Sequence, residues 1–138
     1  MGTTPDQSVN SLLAAFPPPE WLRIAPLLEE VDLPLGLVLH ESGGKMSHVY
    51  FPINAIVSML YVLEDGSSAE IAVVGNEGLV GIAILMGGET TPSRAVVQSA
   101  GKAYRLRAAD IKREFGHSSP LLHLLLRYTQ ALITQMAQ

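Results

Sequence analysis

One arginine stands in the stretch Gly75 to Gly101, GNEGLVGIAILMGGETTPSRAVVQSAG, and it is the residue whose setting suggests chemistry. Glycines can turn backbone N–H groups towards one point, and a guanidinium nearby adds a forked donor. Together these are the means of holding a phosphate or another small anion. The candidate ligand residues are Arg94 with Ala95, Gly81 with Ile82, and the Gly87-Gly88 pair. Glu77 could accept from a ligand hydroxyl, or it could sit in a turn set by Asn76 and Gly78. Arg94 could equally be a surface arginine paired with Glu77 or Glu89.

His40, Glu41 and His48 raise the question of a metal. A barrel metal site needs two close imidazoles on alternate strand positions, a carboxylate and a distant third histidine. Here the two histidines flank Gly43-Gly44, with no H-x-H pair, so no metal site and no metal cofactor is expected. His117 and His123 read as solvated residues at a helix start and on its polar face. No nucleophile elbow or triad-like grouping occurs, so the expectation is a protein that is not an enzyme. Cysteine is absent, which excludes disulfides, iron–sulfur clusters and thiolate haem.

The elements that must carry this stretch follow from punctuation and period. A chain of 138 residues fits one domain. Asn10 can cap a short helix, SLLAAF, ended by Pro17-Pro18-Pro19. A second helix, EWLRIAPLLEEV, follows with Pro19 in its first turn. From Val31 to Leu106 branched and aromatic residues alternate with Gly- and Pro-based turns, which is the pattern of an antiparallel barrel or jelly roll. Asp65-Gly66 predicts a two-residue hairpin turn. Met46, Met59, Met86 and Met136, with Tyr50 and Phe51, read as core. The ranges are 10–29 for N-terminal helices, 31–106 for the barrel and 108–138 for C-terminal helices.

The last helix carries more apolar surface than one contact needs. Leu121, Leu125, Tyr128 and Leu132 form one stripe, and Leu122, Leu126, Ile133 and Met136 form another. One stripe suffices for a helix lying on its own domain. Two stripes predict a second copy as well, in the manner of a coiled-coil dimer. Leu121, Leu125, Tyr128, Leu132, Ile133 and Met136 are the candidate dimer residues. The charged fraction is only 16%, which also favours a partner. The net charge of −4, without a Lys/Arg block, argues against this chain itself gripping nucleic acid. No secretion signal and no membrane span is read, so a soluble cytoplasmic protein is expected.

The order of these parts resembles the sensor domain of the Crp/Fnr family of bacterial transcription regulators. The motifs that carry the resemblance are VDLPLGLVLHESG, HVYFPINAIVSMLYVLEDGSSAEIAVVGNEGLVG, PSRAVVQSAGKAYRL and LLLRYTQALITQMAQ, over residues 10–138. The resemblance implies a jelly roll of the cyclic-nucleotide-binding type, a homodimer seam along the last helix, and DNA contact only through a helix-turn-helix domain absent from this chain. In members that bind cyclic AMP the loop has Gly-Glu, then Arg followed by Ser or Thr. The positions matched here are Gly81-Ile82 and Arg94-Ala95, in a loop about two residues longer. An isoleucine cannot accept from a ribose hydroxyl, and a buried hydroxyl without a partner costs about 1–3 kcal/mol. The implied role is therefore a sensory and dimerisation domain with a degenerate phosphate loop, with a small anionic ligand anchored on Arg94 or no ligand at all, and cyclic AMP in the usual pose is not expected. The alternatives are a free-standing small-molecule-binding module of the same fold and a cupin-like metalloenzyme.

Overall fold

The computed structural model describes residues 4–85, 93–117 and 119–136. Gly87, Gly88 and Met86 lie outside them.

The N-terminal part is helical and short. A 3-10 turn, Gln7–Val9, leads into α1 (Ser11–Ala14), and α2 (Pro18–Ile24) runs into a second 3-10 turn, Ala25–Leu27. Asn10 caps α1 by accepting from the N–H groups of Leu12 and Leu13. The second helix stops at Ile24 rather than continuing to Val31. Pro26 cannot extend an α-helix because it lacks an N–H, and the chain is already in a strand by Glu29.

Seven strands follow: β1 (Glu29–Leu33), β2 (Val38–His40), β3 (His48–Pro52), β4 (Ile56–Val62), β5 (Ser68–Val74), β6 (Ser93–Ser99) and β7 (Gly101–Arg107). They form two antiparallel sheets, one in the order β1-β7-β3 and the other β2-β6-β4-β5. The strands β6 and β7 are consecutive yet lie in different sheets, so the chain turns a corner at Ala100-Gly101. Only glycine fits there: a Cβ on Gly101 would lie 2.5 Å from the Ala55 nitrogen. The β4–β5 hairpin forms as expected, but its loop spans residues 63–67 instead of two residues. Leu63 donates its N–H to Ser67, and the Asp65 carboxylate accepts from the Ser67 N–H, which widens the turn.

Three further helices complete the domain: α3 (Ile82–Leu85), α4 (Ala108–His117) and α5 (Ser119–Met136). No helix among the described residues is long and apolar enough to cross a membrane. Two apolar cores result. One joins α1, α2 and α4 to β3 and β7 through Leu13, Phe16, Ile24, Phe51, Leu106 and Ile111. The other fills the barrel with Val57, Met59, Val74, Ala95 and Val97. The α5 helix contributes to both, with Leu121 and Leu125 in the first and Leu132 in the second.

Candidate functional site

The centre of the arrangement is the turn from Gly75 to Gly81. The Glu77 carboxylate folds back to accept from the Gly75 N–H at 3.0 Å, so it stabilises its own turn. Val80 pairs with Tyr50 of β3 through both backbone bonds, at 2.7 and 2.9 Å. Gly81 has φ +119, and a Cβ there would lie 2.8 Å from Val49 Cγ1, so no other residue fits without strain. Ile82 opens α3 half-buried against the barrel core, where it offers packing and no hydrogen-bond acceptor.

Two distant segments grip this turn. From the N-terminal side, the buried Asn10 amide donates to the Gly78 and Pro52 carbonyls, each at 2.9 Å. Ser11 donates its N–H to the Asn76 carbonyl at 2.7 Å. From the C-terminal side, the Tyr128 hydroxyl of α5 accepts from the Leu79 N–H at 3.1 Å and donates to the Leu79 carbonyl at 3.2 Å. Burial disfavours the phenolate and pushes the Tyr128 pKa up to about 12, so the hydroxyl keeps its proton. Contact is close enough that a Cβ on Gly78 would lie 2.1 Å from the Tyr128 oxygen. Neither grip was read from the sequence, because the partners are 68 and 49 residues apart.

Arg94 stands elsewhere than an internal anchor would. Along β6, Ser93, Ala95 and Val97 are buried and turn inward, while Arg94, Val96 and Gln98 alternate to the outer face. The register agrees: Met59 and Ala95 face each other inside, and Leu60 pairs with Arg94 outside. On that outer face Arg94 Nε lies 2.9 Å from Glu41 Oε1, close enough for an ion pair but not aligned for a hydrogen bond. Among the described residues its partner is thus Glu41, not Glu77, and Glu89 lies outside them. A shift of one residue would have sent the guanidinium inward. Ala95, expected beside it at the ligand, is sealed in the barrel core.

Inside, the polar groups near this strand are Ser93 and His40, both buried. His40 is paired in register with Ala95, and its ring bonds the Ser93 backbone while Nδ1 has no partner. Burial holds its pKa below the ordinary value, and the Ser93 bond opposes this only in part. No lysine or arginine is buried among the described residues. The described residues also contain no group of three or more His, Asp and Glu side chains that could hold a metal ion.

The α5 stripes divide differently from the expected seam. Leu121, Leu125 and Leu132 are buried in this chain's own cores, Tyr128 is half-buried on the turn, and Met136 is half-buried against the barrel. Of the six expected seam residues only Ile133 is exposed. The outer stripe is Leu122, Leu126 and Ile133, with exposures of 37%, 50% and 48%. The helix is amphipathic towards its own barrel because Leu121, Leu125 and Leu132 recur at steps of four and seven.

Comparison with known proteins agrees with this geometry. The model of the cyclic nucleotide-binding domain matches residues 30–118. No curated protein sequence matches. Among solved structures, the sensor domain of the transcriptional regulator DNR from Pseudomonas aeruginosa is similar at 16% identity and TM-score 0.72, over 94% of this chain and 87% of that one. A putative cyclic nucleotide-binding protein from Geobacter metallireducens reaches TM-score 0.75 at 16% identity, over 94% of both chains. The N-terminal domain of a transcriptional regulator from Streptomyces coelicolor A3(2) gives 0.68 at 21% identity, over 95% and 94%. These are binding and regulatory domains, and at such identities they establish the shared fold. Two antiparallel sheets, a glycine turn leading into the short helix before β6, and a long closing helix thus place the chain in the cyclic nucleotide-binding domain family.

Proposed function

We propose that this chain is the sensory and dimerisation domain of a Crp/Fnr-type transcription regulator, and that its barrel does not hold cyclic AMP in the arginine-anchored pose. The observation that carries the reading is the Tyr128 hydroxyl on both backbone groups of Leu79, which joins the glycine turn directly to the long helix. A change in how the turn packs alters the seat of α5. A second copy meeting the exposed Leu122, Leu126 and Ile133 stripe reads that change as a rotation between subunits. In the whole regulator the rotation sets the spacing of recognition helices on DNA, through a separate helix-turn-helix domain.

Three features support weak affinity for cyclic AMP. Ile82 stands where a ribose acceptor is needed, Arg94 faces outward to Glu41, and among the described residues the interior near β6 offers only Ser93 and a His40 disfavoured as a cation. An anionic ligand on Arg94, the expectation from the glycine-rich loop, would have to displace Glu41 on the outer face.

Sedimentation equilibrium at tens of micromolar tests dimerisation. The wild-type chain is expected to be a dimer, and Leu126→Glu with Ile133→Glu a folded monomer with an unchanged circular dichroism spectrum. A monomeric wild type, or a charged variant that still dimerises, refutes the seam.

A further inference from the structure

A cleft separates residues 4–9 from β1, β7 and α2. It has two lobes, of about 560 and 500 Å³, that share Thr4, Pro5 and Leu28. One lobe is apolar, with Pro5, Trp21, Leu22 and Leu28 on its walls. The other carries Asp6 and Glu30 together with Lys102. Lys102 does not balance both acids, because its ammonium is already 2.8 Å from Asp32 and only 3.8 Å from Glu30. Asp6 accepts from the hydroxyl and the N–H of Ser8, and those bonds hold its pKa below the ordinary carboxylate value. Among the described residues this lobe therefore holds two carboxylates against one shared ammonium at neutral pH.

An apolar wall with a tryptophan beside an anionic lobe complements a molecule with a ring at one end and an ammonium at the other. The ring would lie along Trp21 and Leu22, and the ammonium would face Asp6 and Glu30. The cleft also has a route to the regulatory turn. Residues 4–9 lead straight into Asn10, whose amide holds the Gly78 carbonyl. Gly78 adjoins Leu79, which Tyr128 holds from α5.

We propose that this cleft is a binding site for a small amphipathic amine, and that its occupancy is felt at α5 through Asn10 and the turn from Asn76 to Leu79. The site is separate from the barrel interior and stands whether or not the barrel takes a ligand.

Trp21 is the sole tryptophan, so its fluorescence reports the cleft directly. Titration with phenethylamine is expected to give a saturable change, and phenylacetate, of the same shape with opposite charge, to bind at least about tenfold more weakly. Replacing both acids, Asp6→Asn with Glu30→Gln, is expected to bring the two probes to within about threefold of each other. Saturating phenethylamine is expected to slow hydrogen exchange at the Leu79 amide in the wild type and not in Tyr128→Phe. A non-saturating response, equal binding of the two probes, or a charge preference that survives the double replacement overturns the site. Binding that leaves Leu79 exchange unchanged overturns the route to α5.

Discussion

Replacing Tyr128 by phenylalanine removes one oxygen and leaves the ring. That oxygen is the partner of both the N–H and the carbonyl of Leu79, a residue with no exposed surface. A buried donor left without a partner costs about 1–3 kcal/mol, and the carbonyl falls within the same range because it retains a second lone pair for other contacts. For a chain of this length each kcal/mol lowers the melting temperature by about 3–4 °C, so Tyr128→Phe is expected to melt about 3–12 °C lower. Urea unfolding should show the same loss with an unchanged slope, since little surface changes. Tyr61→Phe, at an exposed hydroxyl, is the control and should stay within about 0.5 kcal/mol. Alkaline pH adds an independent signature. The folded pKa of about 12 lies above the ordinary 10.0, so the folded state binds the phenol proton more tightly than the unfolded state. This contribution is fully present below pH 10 and is lost as pH rises towards 12, in the wild type and not in Tyr128→Phe. If the variant is as stable as the wild type and its Leu79 amide exchanges no faster, the coupling of turn to helix is wrong.

Gly78→Ala places a methyl 2.1 Å from the Tyr128 oxygen, and the resulting overpacking is expected to cost about 1–3 kcal/mol by urea unfolding. His40, whose folded pKa is depressed by burial, must be charged against its surroundings in acid. Stability is therefore expected to fall as pH drops below 6.5, and the urea midpoint of His40→Gln should vary less than that of the wild type between about pH 7.5 and 5.5. Cyclic AMP at about 1 mM is expected to leave the melting temperature unchanged, in the wild type and in Arg94→Ala alike. The arginine variant should itself lose less than about 1 kcal/mol, because its ion pair with Glu41 is solvent-screened.

Much of the architecture could be read from the chain. Glycine and proline marked the turns at Pro34–Gly36, Gly43-Gly44 and Ala100-Gly101, and branched residues between them read correctly as strands. The doubled apolar content of the last helix was also legible, since its two stripes need only the helical period. What was not legible was phase. SRAVVQS has three apolar residues in succession, so alternation alone does not say whether Ser93 or Arg94 turns inward. That choice is made by pairing with Met59 and Leu60, more than thirty residues earlier in the chain. The same limit applies to α5. Leu121 and Leu122 are alike as sequence, and only the position of the barrel decides that the first is buried and the second exposed. The apolar periodicity of α2 continues in the sequence through Leu27 and Leu28, while a single proline at position 26 ends the helix at Ile24.

The convergence of Asn10 and Tyr128 on one short turn has a consequence for synthesis. A nascent chain emerges from its N-terminus, so the segment around Asn10 is available early and Gly78 some seventy residues later. Tyr128 emerges only when the last helix does. Until then Leu79 has neither oxygen partner nor cover from Leu121 and Leu125, and the barrel mouth is greasy and unsealed. Emergence of α5 thus completes the grip on Leu79, and a ribosome stalled before it would display an adhesive intermediate that invites chaperones.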